Sequence, residues 1–185
     1  PELLGIQARE NQPQIEQVLV QSDSLREDDL ERKLYLIRKQ IQRQLEAQSE
    51  AGFLEFYMCS FSHRTIVYKG MVRSEVLGKF YADFENPAFK SAFAVYHRRF
   101  STNTMPKWHL AQPMRLLGHN GEINTLLGNV NWMVARQPEL KGEVWGDRIS
   151  TLQPTVNANN SDSANLDNVM ELLVRSGRSA VEALM

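Results

Sequence analysis

The chain has 185 residues, 42% of them hydrophobic and 23% charged, with a formal net charge of −1. This balance is typical of a globular domain and excludes a general electrostatic attraction to nucleic acid or to an anionic membrane. The single cysteine, Cys59, excludes an internal disulfide framework and a cysteine-rich metal site, and the lack of any run of about 18 apolar residues predicts no membrane-spanning segment.

One helix is strongly predicted in the first third of the chain, after a polar and Gln-rich segment, residues 1–23. Ser24 and Glu27 have the spacing of a capping box, and Gly52 is a suitable stop. The apolar residues between them recur at helical intervals: Leu30, Leu34, Ile37, Ile41 and Leu45. Acidic residues come early and basic ones (Arg38, Lys39, Arg43) come late, which favours a solvated helix face over a nucleic-acid contact.

Aromatic and β-branched runs predict several strands in the chain. The predicted strands are Val18–Val20, a hairpin of Phe53–Phe61 with Thr65–Tyr68, Ala92–His97 and Met114–Gly118. Two further helical stripes run from Ile123 to Val134 and from Leu166 to Val174, and Gly177 closes the second. Because strands come as hairpins and helices come in separate blocks, the pattern favours α+β layers over a parallel sheet.

Both ends of the sequence predict a fragment. The first residue is Pro1, and Pro1–Gly5 lacks the basic and apolar segments of a signal peptide. Ser179 and Glu182 have the capping-box spacing that begins a helix, and the chain stops soon afterwards. We therefore expect residues 1–185 to be a partial domain, truncated at both ends.

Three polar segments interrupt this pattern at strand ends or helix starts: His97–Thr104, Gly118–Thr125 and Asn159–Ala164. Each has an ordinary structural interpretation when it is taken alone. Asn120-Gly121 is a tight-turn dipeptide, Asp162 or Ser163 can cap the following helix, and Arg99 can be a surface residue. None of the segments has the spacing of a phosphate-binding loop.

Taken together and in order, these segments resemble the amidotransferase domain of glutamate synthases. The matching segments are Phe56-Tyr57 through Tyr68–Met71, Tyr96–Thr104, Trp108–Arg115, Gly118–Thr125 and Asp162–Asn168. RFSTNT followed by GHNGEINT is very specific for that family. The early segment Gln7–Gln17 is more similar to the ferredoxin-dependent branch than to the pyridine-nucleotide branch.

The resemblance implies a class II glutamine amidotransferase of the N-terminal-nucleophile fold. That fold is an αββα sandwich with two stacked antiparallel sheets. In the family, a cysteine at the mature N-terminus attacks the side-chain amide of glutamine, and its own α-amino group serves as the base. The released ammonia reaches a synthase domain, where 2-oxoglutarate and electrons from FMN and an iron–sulfur cluster yield glutamate. Ferredoxin or a pyridine-nucleotide-oxidising subunit supplies those electrons.

The resemblance also implies roles for five residues of this chain. Arg99 would pair with the α-carboxylate of glutamine, Thr102 would add a hydroxyl contact, and Asp162 would hold the α-ammonium group. Asn120 would offer its side-chain amide, and Gly121 its backbone N–H, to the oxyanion of the tetrahedral intermediate. The two groups of residues correspond to substrate binding and to transition-state stabilisation.

The family's nucleophile does not match any residue of this chain. Residue 1 is Pro1, and Cys59 lies within a predicted strand, where a small buried thiol is the simpler interpretation. We therefore expect the catalytic cysteine to precede this segment. His97, His109 and His119 lack the spacing of a helical zinc site, so we expect no metal, and we expect His119 to orient its loop.

The sequence leaves two alternatives to a glutaminase piece. One is a non-catalytic amino-acid-binding module that lost the nucleophile, and the other is a thiol hydrolase that uses Cys59. The expected partners are L-glutamine, the remaining domains of the same chain and the electron donor, without nucleic acid or membrane. We expect no cofactor in the fragment itself, and a location in the cytoplasm or the plastid stroma.

Overall fold

The computed structural model of the chain describes residues 3–48, 56–98, 105–158 and 160–185. Every regular element in these ranges is helical. The α-helices are α1 (Ile6–Glu10), α2 (Glu27–Gln48), α3 (Leu77–Phe80), α4 (Leu126–Arg136), α5 (Asp162–Arg175) and α6 (Ala180–Leu184). Short 3₁₀ turns cover Ser74–Val76, Ala82–Glu85, Trp108–Leu110, Gln137–Glu139 and Gly146–Leu152.

The expectation of an α+β sandwich with two antiparallel sheets is wrong for the described residues, which contain no β-strand. The described parts of the strand-like runs are not assigned to strands, and two of their backbone N–H groups bond outside any ladder. The Val67 N–H donates to the Ser60 hydroxyl, and the Met114 N–H donates to the Leu117 carbonyl within a turn. Strand propensity depends on a neighbouring strand for its ladder, and the described parts of these runs do not pair with one another.

Tyr68, which was predicted to lie in a hairpin strand, packs instead in an aromatic cluster. Its ring packs against Tyr81, Phe84 and Phe89 at centroid distances of 4.9, 4.7 and 6.0 Å, and its hydroxyl donates to Asp83. The aromatic residue that favoured a strand is therefore packed against the turn at Ala82–Glu85. The first part of that hairpin, Phe53 to Glu55, and the predicted stop at Gly52 lie outside the described residues.

Helix α2 is confirmed, but its first turn differs from the predicted capping box. Glu27 adopts a positive φ of 44°, and its carboxylate pairs with Arg64 at 2.8 Å. The hydroxyl that bonds at this end belongs to Ser22, which accepts from the Leu25 N–H. The apolar stripe buries Leu34 as expected.

Two buried ion pairs join α2 to α5. Glu31 pairs with Arg175 at 2.5 Å, and Arg38 pairs with Glu171. Residue numbers rise along one helix as they fall along the other, so the two helices are antiparallel. The polarity of the pairs is opposite at the two positions, which fixes this alignment because a shift would bring like charges together.

The basic cluster of α2 is only partly the solvated face that the sequence predicted, since Arg43 is exposed but Arg38 is buried. Arg38 is only 2% exposed, because Glu171 compensates its charge. Lys39 donates to the Pro154 carbonyl at 2.8 Å, and Arg43 donates to the Ser150 carbonyl at 3.0 Å. The cluster therefore attaches α2 to the segment that leads toward α5.

Two apolar clusters form the described core. The larger contains Tyr35, Leu36, Trp145, Leu152 and Leu172, and the smaller contains Leu4, Ala8 and Trp108. The indole N–H groups of both tryptophans are bonded, since Trp145 donates to the Ser176 hydroxyl and Trp108 to the Ala8 carbonyl. Helix α1 contributes Ala8 and was not predicted, because its five residues are too few to show a helical period.

The end of α5 and the start of α6 follow the sequence. Gly177 adopts φ 104° just after α5, and the Arg178 N–H reaches back to the Leu173 carbonyl, as in glycine-terminated helices. Ser179 and Glu182 form the reciprocal capping box of α6. Among the described helices, none is both long and apolar enough to cross a bilayer.

Candidate functional site

The loop that contains Asn120 and Gly121 follows a tightly supported turn. The backbone N–H groups of residues 115, 116 and 117 all donate to the carboxylate of Asp167 on α5, at 2.8 to 3.2 Å. At Gly118, an added Cβ would lie 3.3 Å from the Cβ of Pro113, so glycine allows the loop to approach Pro113 closely. Helix α5 thus fixes the backbone just before this loop.

Asp167 is a residue whose positioning role the sequence reasoning missed. Its side chain is almost fully buried, and burial raises the pKa of its carboxyl group, against the effect of the donating backbone N–H groups and Arg115. The available signal was an aspartate between Leu166 and Val169 on the apolar stripe of a predicted helix. Such a buried carboxylate requires donors, and here the donors are the turn before Gly118.

Asn120 is exposed, and its Oδ1 lies 2.5 Å from Nε2 of His97. With the amide oxygen facing the histidine, Nε2 must be the donor. This contact turns the two N–H bonds of the Asn120 amide away from His97. An asparagine that stabilises an oxyanion must donate through its nitrogen, so this orientation suits that chemistry.

Gly121 is also exposed. Among the described residues, a Cβ added there would meet Nδ1 of His119 at 3.4 Å, which is an ordinary contact. The described fold therefore does not itself require glycine at this position. A requirement for glycine would come from a ligand that approaches the backbone.

Asp162 is the first residue of α5, while the N-cap is Ser161, whose hydroxyl accepts from the Ala164 N–H. The carboxylate of Asp162 accepts from both the backbone N–H and the hydroxyl of Ser163, at 2.6 and 3.1 Å. Both bonds end on Oδ1, and Oδ2 is therefore the oxygen that we expect to meet a ligand. A carboxylate at the N-terminus of a helix is also stabilised by the helix dipole.

The Asn120 loop and the Asp162 helix end are joined by one side-chain contact. Nε2 of His119 lies 2.8 Å from the hydroxyl of Ser163. The backbone N–H of His119 also donates to Oε1 of Gln112 at 2.8 Å. This contact links the segment of Asn120 and Gly121 to the segment of Asp162, which together hold three of the five predicted site residues. Of the two linking residues, Ser163 was considered in the sequence only as a possible helix cap. The other two predicted site residues, Arg99 and Thr102, lie outside the described residues.

A separate polar cavity of about 170 Å³ lies beside α2 and α5. Its lining includes Lys39, Arg115, Thr155 and Asp167, and it does not include Asn120, Gly121 or Asp162. Burial lowers the pKa of Lys39 to about 8. The cavity is thus distinct from the loop and helix end that carry the predicted site residues.

Cys59 is half-buried, and it is a free cysteine. Burial raises the pKa of its thiol, although the nearby cations Lys69 and Arg115 act in the opposite direction. A nucleophilic cysteine needs a thiolate at neutral pH. The environment of Cys59 therefore argues against the thiol-hydrolase alternative.

Within the described ranges, no group of three or more His, Cys, Asp or Glu side chains is arranged to hold a metal ion. The histidines of the loop, His97 and His119, instead bond to Asn120 and Ser163. Their described contacts are those of residues that orient a loop. The expected orienting role of His119 agrees with its bond to Ser163.

Comparison with known proteins gives matches over the whole chain. Residues 1–185 match the family model of the class II glutamine amidotransferases. The chain is 60% identical over 186 residues to ferredoxin-dependent glutamate synthase 2 of Synechocystis sp. and 58% identical over 184 residues to ferredoxin-dependent glutamate synthase of Pyropia yezoensis. Both alignments cover 100% of this chain.

A plant relative is similar at a slightly lower level. Over 186 residues the chain is 54% identical to ferredoxin-dependent glutamate synthase 2, chloroplastic, of Arabidopsis thaliana, an alignment that covers 99% of this chain. The chain spans 12% of the length of the Synechocystis and Pyropia proteins and 11% of the Arabidopsis protein. These relatives are therefore much longer than the segment compared.

Proposed function

This chain belongs to the class II glutamine amidotransferases, and on that premise we propose that it is the glutamine-binding and oxyanion-stabilising part of the glutaminase domain of a glutamate synthase. The whole enzyme releases ammonia from glutamine and transfers it reductively to 2-oxoglutarate. The names of the relatives, all ferredoxin-dependent glutamate synthases, support this assignment.

The observation that carries the proposal is the contact between His119 and Ser163. It joins the loop of Asn120 to the helix end of Asp162, which are 42 positions apart in the sequence. A site that selects free glutamine has to meet the charged α-carbon end and the reacting side-chain amide of one small molecule. This contact supports the proposal because it links the two segments that carry an acidic group and an amide donor, the two groups that such a substrate requires.

Each site residue has a role that follows from its chemistry. Asp162 balances the α-ammonium charge, and the planar guanidinium of Arg99 forms a forked contact with the α-carboxylate, to which Thr102 adds a hydroxyl. The Asn120 amide and the Gly121 N–H donate to the carbonyl oxygen as it becomes an oxyanion. One such donor contributes about 3 kcal/mol of transition-state stabilisation.

The nucleophile in this proposal is the family's N-terminal cysteine, which no residue of this chain matches. Its thiolate attacks the amide carbon, the α-amino group takes and returns the proton, and ammonia leaves with formation of a thioester. Water then attacks the thioester and releases glutamate and the thiol. Cys59 is not proposed for this role, because burial raises the pKa of its thiol, whereas a nucleophilic cysteine needs a thiolate at neutral pH.

FMN and an iron–sulfur cluster belong to other parts of the whole enzyme. A cluster is held by several cysteine thiolates, and this chain contains one cysteine. The residues present therefore do not fit the cluster. Ferredoxin is the proposed electron donor, in line with the names of the relatives, and the plastid or the cytoplasm remains the predicted location.

Kinetics of the full-length enzyme test the binding roles. Arg99→Lys and Asp162→Asn should each raise the KM for glutamine at least about tenfold, because each removes a charge-assisted contact worth more than about 1.4 kcal/mol. Activity with free ammonia as the nitrogen donor should persist in both variants, since ammonia bypasses this site.

Two exposed residues of the same types supply matched controls. Arg98→Lys changes the adjacent exposed arginine, and Asp147→Asn changes an exposed aspartate of the 3₁₀ turn Gly146–Leu152. Both should leave the KM for glutamine near that of the wild type. An unchanged KM in Arg99→Lys and Asp162→Asn would refute the pocket. Glutamine binding without ammonia release by the full-length wild-type protein would favour the non-catalytic amino-acid-binding module.

A further inference from the structure

A chain of hydrogen bonds runs from the oxyanion loop to the first turn of α5. We define the His119–Ser163 clasp as the imidazole of His119 and the hydroxyl of Ser163, which lie 2.8 Å apart. On one side, His119 directly precedes Asn120, and its backbone is held by Gln112. On the other side, Ser163 donates twice to the carboxylate of Asp162.

The direction of the clasp follows from the number of protons. A hydroxyl has one proton to donate, and in this structure the Ser163 hydroxyl directs it to Oδ1 of Asp162. The contact with His119 must then be made by an N–H at Nε2 of the imidazole. The bonds therefore run in one direction, from His119 through Ser163 to the carboxylate.

Burial of the Ser163 hydroxyl makes the hydrogen bonds of the clasp costly to break. Ser163 is 6% exposed, and a buried hydroxyl without a partner is costly. Asp162 is its neighbour in the first turn of α5 and His119 lies on the loop, so a shift of the loop relative to α5 would break the bond between His119 and this buried hydroxyl. The carboxylate at the end of the chain also strengthens the preceding bond, because hydrogen bonds in series polarise one another.

We propose that His119 and Ser163 are positioning residues that couple the α-ammonium site at Asp162 to the oxyanion donors at Asn120 and Gly121. This inference rests on the proposed function. An ammonium group bound at Asp162 fixes the carboxylate, the carboxylate fixes Ser163, and Ser163 fixes the loop that carries the donors. The clasp thus favours full alignment of the oxyanion donors when the correct α-carbon end is bound.

Variants of the clasp in the full-length enzyme test this coupling. Ser163→Ala and His119→Asn should each lower glutaminase kcat about tenfold to a hundredfold, the usual cost of misplacing reacting groups by about an ångström, and should also raise the KM for glutamine. The effects of the two changes should not add in the double variant, since either one breaks the same connection. Ammonia-dependent synthesis should stay at the wild-type level.

Conservative variants test whether the hydrogen bond between these two side chains is what matters, rather than the exact identity of each residue. A glutamine amide nitrogen occupies nearly the place of Nε2 in histidine, so His119→Gln should recover most of the lost kcat. Ser163→Thr retains the hydroxyl and should do the same. Ser179→Ala, which removes a hydroxyl from the exposed capping box of α6, is the matched control and should leave both constants unchanged.

A double-mutant cycle measures the coupling between the two sites in kcat/KM, which a purely structural role of the clasp would not change. Asp162→Asn and Asn120→Ala should show non-additive effects on kcat/KM when the clasp is intact, and additive effects in a Ser163→Ala background. Additive effects in both backgrounds, or wild-type kinetics in Ser163→Ala, would overturn the coupling while leaving the proposed function in place. Wild-type kinetics in Asp162→Asn and Asn120→Ala themselves would overturn the proposed function, and the coupling with it.

Discussion

At the residue scale, two roles have to be distinguished for Asn120: stabilisation of the oxyanion and formation of a turn. The sequence allowed both interpretations, because Asn-Gly is a common turn dipeptide. The structure adds a physical argument: His97 bonds to the amide oxygen of Asn120, and this orientation directs the amide nitrogen elsewhere. A donor that is oriented before the substrate arrives needs no reorganisation during the reaction.

Replacing Asn120 separates the two roles in the full-length enzyme. Asn120→Ala should lower glutaminase kcat by roughly a hundredfold or more, as for other oxyanion donors. The KM for glutamine should change far less than in Arg99→Lys, because the interaction forms mainly in the transition state. Kinetics and melting temperature should be measured on the same preparation.

The control for this change is Asn129→Ala, which alters an exposed asparagine of α4 and should leave kcat intact. A turn-forming Asn120 predicts the opposite result. In that case Asn120→Ala would lower the melting temperature while kcat per folded molecule stayed near the wild-type value. That outcome would return Asn120 to an ordinary structural residue.

At the scale of elements, α5 organises the site. Its first turn contains Asp162 and Ser163, its second turn holds residues 115–117 through Asp167, and its last turns are paired with α2. The sequence indicated the helix and its glycine stop. It did not indicate that Asp167 and Glu171 are buried and bonded, because the partners of both residues lie far along the chain.

Removing one charge of the α2–α5 pairing tests this arrangement. Glu171→Gln leaves the buried Arg38 guanidinium without its counter-charge, and such a change typically costs about 3–5 kcal/mol of stability. Heat-treated full-length enzyme should therefore lose glutaminase activity at a clearly lower temperature. The measurement is residual glutaminase activity after heating.

The matched comparison is Asp29→Asn on the same helix. Asp29 pairs with Arg32 at 2.7 Å, but its side chain is 71% exposed. Exposed pairs contribute about 0–1 kcal/mol, so this variant should keep nearly the wild-type heat resistance. Equal effects of Glu171→Gln and Asp29→Asn would contradict the structural importance of the buried pair.

At the scale of the whole molecule, the buried Lys69 and the half-buried Lys39 contribute to the dependence of stability on pH. Burial lowers the pKa of Lys69 and of Lys39 to about 8, from an ordinary value of 10.5. Lys69 is 4% exposed and donates to the carbonyls of His109 and Ala111 at 3.0 and 2.6 Å. These lysines stay charged to a higher pH in the unfolded chain than in the folded one.

The direction in which stability changes with pH follows from the numbers of protons bound by the folded and the unfolded chain. Between pH 8 and about 10 the unfolded chain binds more protons at these lysines, so stability should rise with pH. Burial raises the pKa of Tyr81 to about 12, from 10.0. Above about pH 10 the unfolded chain therefore loses tyrosine protons first, and stability should fall again.

Residual glutaminase activity after heating at different pH values, assayed afterwards at a single pH, measures this profile in the full-length enzyme. Lys69→Met should flatten the rise between pH 8 and 10. Lys33→Met, which changes an exposed lysine of α2, should keep the wild-type profile. A Lys69→Met profile parallel to that of the wild type would contradict the assignment.

The amino-acid sequence by itself determined the features that depend only on residues close to one another in the chain. The helical stripes gave α2, α4 and α5, and the Ser179–Glu182 box and Gly177 gave the start of α6 and the end of α5. Contiguous motifs gave the family, which the match over residues 1–185 confirmed. Local spacing suffices here because helix caps and helical faces are set by residues three or four positions apart.

Only the tertiary structure decided the features that depend on distant partners. Arg38 is buried because Glu171, 133 positions away, compensates it, and His119 meets Ser163 across 44 positions. The described parts of the strand-like runs are not strands, because a strand forms only where another strand completes its ladder. A contact between distant residues leaves no period in either segment, so the sequence could name Asn120 and Asp162 but could not show what connects them.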